Sequence, residues 1–180
     1  MTFVLGALWI LANGIRDTLP LLCAAALHEA GHAAACLCLR IRIRFFAPSP
    51  FGAVIGYDPL GVSYRAEAIL ALAGPGAGLL GCAAASRLPG RFWTLFCLSS
   101  LSLSLFNLLP IRPLDGFVFW RAVLDSSSDP LRGEKILAAV SGAGTVLLWM
   151  LAAAVQMRCG GSLSLLLISV AMMMSLAGSR

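Results

Sequence analysis

Ionisable side chains are scarce in this 180-residue chain: charged residues make up 12%, lysine occurs once and histidine twice. Hydrophobic residues take 59% and the mean hydropathy is +0.91, which excludes a soluble domain of ordinary make-up and indicates a polytopic membrane protein. The formal charge of +5 comes almost entirely from arginines scattered between apolar runs, so it reads as membrane orientation and not as a nucleic-acid surface. Cys23, Cys36, Cys38, Cys82, Cys97 and Cys159 all fall in or beside apolar runs, with no CxxC pair among them. That pattern argues against a disulfide framework and for small buried hydrophobes. The start, Met1-Thr2-Phe3-Val4-Leu5, lacks a basic n-region and a small-residue cleavage pattern, so the sequence predicts that it is retained. There is no internal repeat, soluble domain or long linker.

What is there is a succession of six apolar runs, at 2–15, 19–39, 66–86, 92–111, 136–157 and 161–177. They predict an all-α polytopic membrane protein of about six transmembrane helices, forming a single domain over 1–180. The first run is short for a hydrocarbon core of roughly 30 Å at about 1.5 Å per residue. Arg16-Asp17 ends it; Asp17 or Thr18 can cap the second helix, with Pro20 in its first turn. Between the second and third runs, Arg40-Ile41-Arg42-Ile43-Arg44-Phe45 alternates at period two and leads through Pro48-Ser49-Pro50 to Phe51-Gly52-Ala53-Val54-Ile55-Gly56-Tyr57. This predicts a small interfacial β-hairpin over about 41–57. Its arginines can snorkel to headgroups, or its edge can pair with an extended peptide; alternation does not choose between them.

Small residues from Gly74-Pro75-Gly76-Ala77-Gly78 to Gly81 predict close helix packing in the third run. Serines 99, 100, 102 and 104 in the fourth predict hydrogen bonding within or between helices, since no histidine is left over to activate a nucleophilic serine. Asp125 to Glu134 reads as a solvated polar loop, and the last two runs carry no evident chemistry.

Both histidines lie in Leu27-His28-Glu29-Ala30-Gly31-His32-Ala33, near the middle of the second run. Four residues on a helix advance about 400°, so His28 and His32 share one face and can reach one metal ion. A pair of neutral imidazoles suits Zn²⁺, and Glu29, a neighbour that is not itself a ligand, can take a proton from water. Ionisable groups inside a span are costly and mark function.

A hydrolytic zinc site needs three protein ligands and one open position, so a third must come from elsewhere. Cys38, Asp58 and Glu67 are candidates, but Cys38 falls near a helix end and the two acids at an interfacial loop. Asp115 follows Pro110 and Pro113 at a break in the fourth run, and broken helices at membrane depth occur only where protein or a cavity surrounds them. It is the favoured ligand. Asn107, two turns before, can hold a substrate backbone or bond to another helix. Arg40, Arg42, Arg44, Arg65, Arg121, Arg132, Lys135 and Arg180 on one side, against Arg16, Arg87, Arg91 and Arg158 on the other, place both termini in the cytoplasm. His28, His32 and Asp115 then lie toward the same cytoplasmic face.

Together, His28-Glu29-Ala30-Gly31-His32 and Asn107-Leu108-Leu109-Pro110-Ile111-Arg112-Pro113-Leu114-Asp115-Gly116 resemble the site-2 protease family of intramembrane zinc metalloproteases. The compact form most resembles the stage IV sporulation-type subgroup, which cleaves a membrane-associated sigma-factor precursor. The resemblance implies one Zn²⁺ held by His28, His32 and Asp115, with Glu29 activating water and Asn107 positioning substrate. It also implies a bacterial cell-membrane location, a membrane-anchored or membrane-associated protein substrate, and room for a regulatory membrane partner, with no nucleic acid. Gly78 departs from the family, many of whose members carry asparagine there. A non-catalytic scaffold with a structural metal clip and a metal transporter are the rival readings, the latter weakened by the lack of polar residues in the last two runs.

Overall fold

The computed structural model describes residues 15–49, 52–57, 61–126 and 130–159. Five helices and two strands are described: α1 (Ile15–Cys38), β1 (Ile43–Ser49), β2 (Gly52–Tyr57), α2 (Tyr64–Ala85), α3 (Arg91–Asn107), α4 (Asp115–Asp125) and α5 (Pro130–Cys159). The expected helices over 2–15 and 161–177 lie outside the described residues. Three segments, Thr18–Cys38, Tyr64–Ala85 and Leu131–Leu151, are long and apolar enough to cross a bilayer. The chain is an integral membrane protein, and its exposed leucines, such as Leu37, Leu80, Leu131 and Leu147, face outward where lipid would cover them.

Helix α1 passes through Asp17 and Thr18, so neither caps it, and Pro20 stands inside the helix rather than in its first turn. The helix ends in a Schellman closure: Arg40 N–H bonds the Leu37 carbonyl at 3.2 Å and Ile41 N–H bonds the Cys36 carbonyl at 2.9 Å. Arg40 sits at φ 54°, a left-handed position usually given to glycine. It therefore belongs to the helix end, just ahead of the hairpin expected from about residue 41. The strands begin three residues later and pair antiparallel from Ile43 with Tyr57 to Ser49 with Gly52, with an irregularity between Ile43 and Phe45.

Ser63 caps α2, its hydroxyl accepting from Ala66 N–H at 3.2 Å. This helix is central, packing against α1, α3 and α4. Because lipid is as apolar as leucine, such packing depends on close fit rather than on a hydrophobic drive. The fit is made by small residues. A Cβ on Gly31 would stand 2.5 Å from the Ala73 carbonyl oxygen, and one on Gly81 would stand 2.3 Å from the Leu27 side chain. Cys82 and Cys97 form a disulfide between α2 and α3, which corrects their reading as unpaired hydrophobes. Antiparallel packing of two helices aligns them across 15 residues of sequence, a register that no local pattern reveals.

Helix α3 stops at Asn107, four residues before the expected end of the fourth run. Pro110 has no N–H to donate, and residues 108–114 instead fold into successive turns, with Ile111 N–H on the Leu109 carbonyl and Leu114 N–H on the Ile111 carbonyl, both at 2.8 Å. The short α4 then begins at Asp115. A Cβ on Gly116 would stand 2.2 Å from the Leu108 carbonyl oxygen, so glycine lets α4 start directly against the end of α3. The segment read as a solvated loop is shorter than 125–134, because α5 already begins at Pro130, a first-turn position that tolerates proline.

Candidate metal centre

Helix periodicity alone brings His28 and His32 together: their rings meet edge to face with centroids 4.9 Å apart, and both are buried. The loop after α3 delivers Asp115 to the same place, across 83 residues of sequence from His32. His28 Nε2 lies 3.0 Å from Asp115 Oδ2, His32 Nε2 lies 3.2 Å from the same oxygen, and the two Nε2 atoms are 3.2 Å apart.

The protonation pattern explains what this triangle requires. His32 Nδ1 is 2.9 Å from the Leu70 carbonyl oxygen, which can only accept. Nδ1 therefore carries the hydrogen, and in the neutral ring Nε2 presents a bare lone pair. That lone pair, the Nε2 of His28 and a carboxylate oxygen converge on one point, and only a cation or a shared proton relieves their mutual repulsion. Donors on a tetrahedral Zn²⁺ at about 2.0–2.1 Å stand about 3.3 Å from one another, close to the separations found. Two imidazoles and one carboxylate are also the donor set of hydrolytic zinc sites. The residues present thus fit a divalent metal ion, and they leave one position for water, since the metal-capable group among the described residues has three members.

Two further features shape the site. Asp115 is the first residue of α4, where the helix dipole favours its negative charge. From the other side α2 presses close, and a Cβ on Gly74 would stand 2.2 Å from His32 Nε2 and 2.8 Å from His28 Nε2. His28 Nδ1 is buried and has no hydrogen-bond partner among the described residues, so His32 alone has its ring held by a backbone carbonyl.

The other candidates stand elsewhere. Cys38 is exposed at the end of α1, Glu67 is ion-paired with Arg121 of α4, and Asp58 lies outside the described residues. Glu29 is half-buried on α1 beside His28. Asn107 is buried, and its Nδ2 donates to the Leu103 carbonyl of its own helix at 2.9 Å, so the bond is neither interhelical nor directed at the triangle. Sequence reasoning overlooked Gly74 and the Leu70 carbonyl. Small residues at helical spacing indicated packing, and a backbone carbonyl carries no sequence signal.

The structure of a site-2 protease from Methanocaldococcus jannaschii superposes with a TM-score of 0.75 at 23% identity, covering 99% of this chain and 88% of that one. The chain has the site-2 protease fold. A profile of peptidase family M50 matches residues 81–151, a stretch that includes Asn107 and Asp115 and begins after His28 and His32. No curated protein sequence matches the chain.

Proposed function

We propose that this chain is an intramembrane zinc endopeptidase that cleaves a membrane-anchored or membrane-associated protein. The observation that carries the reading is the convergence of His28, His32 and Asp115 on one point inside a site-2 protease fold. The match of residues 81–151 to peptidase family M50 supports it independently of the histidine motif. When bound, Zn²⁺ supplies Lewis acidity that makes water a competent nucleophile near neutral pH.

The chain's own residues do the rest. Glu29 accepts a proton from the attacking water and returns it to the leaving amine, the usual task of a carboxylate beside such a donor set. Asn107 turns its amide toward the substrate backbone in the complex. A helical substrate hides its carbonyls in intrahelical bonds, so cleavage requires local unwinding, and the β1–β2 hairpin offers a strand edge on which an extended segment can be held.

Around this core we place six spans with both termini in the cytoplasm, following the charge asymmetry of the flanking arginines. The resemblance of the two motifs to the sporulation-type subgroup suggests a regulator such as a sigma-factor precursor as substrate, with a second membrane protein as the control. A purely structural metal clip would need a closed shell, and a group of three ligands argues for an open one.

The test is Glu29→Gln. This variant keeps the metal and loses about 10²- to 10⁴-fold in cleavage of a membrane-embedded substrate, the usual contribution of a general base. Zinc retained together with undiminished cleavage would remove the assignment of Glu29 as the base.

A further inference from the structure

The loop that carries Asp115 does not hold its shape alone. Its Arg112 N–H donates to the Ser141 hydroxyl of α5 at 2.9 Å. Ser141 is wholly buried, and its own carbonyl accepts from the Thr145 hydroxyl at 2.9 Å, one turn further along the same helix. Between them, Gly144 opens the surface of α5 for Ile111: a Cβ there would stand 2.8 Å from Ile111 Cδ1 and 2.9 Å from its Cγ1. Ile111 and Leu114 form a small buried cluster with Phe106, Leu109 and Leu148 of α5. The polar bond and the apolar socket therefore grip consecutive residues of the loop, three and four positions before Asp115.

We infer that Ser141 and Gly144 of α5 are positioning residues for the third metal ligand, setting Asp115 against His28 and His32. The inference rests on the metal-site reading above and extends it to a helix that carries no ligand. The two histidines share one helix, so their relation is rigid. Asp115 is different, because it reaches them from a loop broken by two prolines, and a loop keeps a ligand in place only if something fixes the loop. Within the loop the turns of residues 108–114 define its curvature, but its distance from α1 is a matter of what it leans on. The side chains of α5 supply that support.

The experiment measures binding of Co²⁺ alone to the purified full chain in detergent, by its ligand-field absorption and by titration. Ser141→Ala leaves the Arg112 N–H without its acceptor, and Gly144→Ala drives a methyl group into Ile111. Each raises the Co²⁺ dissociation constant by about tenfold or more, the lower range for loss of ligand support, and changes the intensity of the ligand-field bands. Gly142→Ala lies two residues away on the same helix with nothing within 4 Å of its new Cβ, and it leaves both readouts as in the wild type. That pair separates loss of loop support from any general effect of alanine on the helix. If Ser141→Ala fails to fold, Gly144→Ala carries the test.

Wild-type Co²⁺ binding and spectra in both Ser141→Ala and Gly144→Ala overturn the inference, even if Asp115→Ala abolishes binding. Wild-type protein that takes up no Co²⁺, or Asp115→Ala that binds as well as wild type, overturns the metal-site reading and the positioning role with it.

Discussion

Gly74 of α2 faces His32 of α1 so closely that a methyl group on its Cα would stand 2.2 Å from the imidazole Nε2. Swinging the ring aside would break the bond from its Nδ1 to the Leu70 carbonyl of the same α2 helix. The close approach of two spans and the orientation of a ligand are therefore one feature, with α2 serving as both wall and clamp.

Gly74→Ala should accordingly cost metal binding more than stability. Displacing His32 from the triangle weakens metal affinity by about 10- to 100-fold, while the helices, free to give at a side-chain tip, stay folded. Gly31→Ala has the opposite signature. Its Cβ meets the Ala73 backbone carbonyl, which cannot yield, so the helices must part, at a cost of about 1–3 kcal/mol. Gly76→Ala has nothing within 4 Å and serves as the matched control. Zinc content and thermal unfolding of the three variants check this; equal metal content in Gly74→Ala and Gly76→Ala would remove Gly74 from the site.

These contacts also show which parts of the site a sequence can reveal. His28 and His32 were legible because helical periodicity alone fixes their relation. Asp115 was legible because two prolines and an acid interrupt an apolar run at a depth where such a break needs a reason. Gly74 was visible only as one of several small residues, since periodicity tells that a face is close-packed but not what lies across it. Ser141 was passed over as one hydroxyl in an apolar run, for the same reason. The Cys82–Cys97 pairing needed the register of two antiparallel helices. The left-handed turn at Arg40 was not legible, because the residue is not the glycine that usually marks such a helix end.

Arg40 yields a prediction about the backbone. A non-glycine residue in the left-handed region costs roughly 1–2 kcal/mol, and glycine's greater freedom in the unfolded chain gives back part of that, about 0.5–1 kcal/mol. Arg40→Gly should therefore stabilise the chain by about 0.5–1 kcal/mol, raising Tm by roughly 1–4 °C for a protein of this size. Thermal unfolding in a neutral detergent isolates the backbone contribution. A lower Tm there would show that side-chain contacts of Arg40 outweigh its strained conformation.

Metal removal separates the site from the scaffold. The helices are also held by contacts that involve no ligand of the triangle: the close approaches at Gly31 and Gly81, the α2–α3 disulfide and the ion pair between Glu67 and Arg121. A chelator should therefore leave the helical circular dichroism nearly unchanged while lowering the melting temperature, because an ion that binds only the folded state stabilises it by mass action. With free Zn²⁺ at a thousand times the dissociation constant, the difference is about 4 kcal/mol, or roughly 10 °C in Tm for a domain of this size. In Asp115→Ala, where one of three ligands is gone, the melting curves with zinc and with chelator should nearly coincide. A wild-type Tm indifferent to zinc and chelator alike would mean that the three converging donors share a proton rather than an ion.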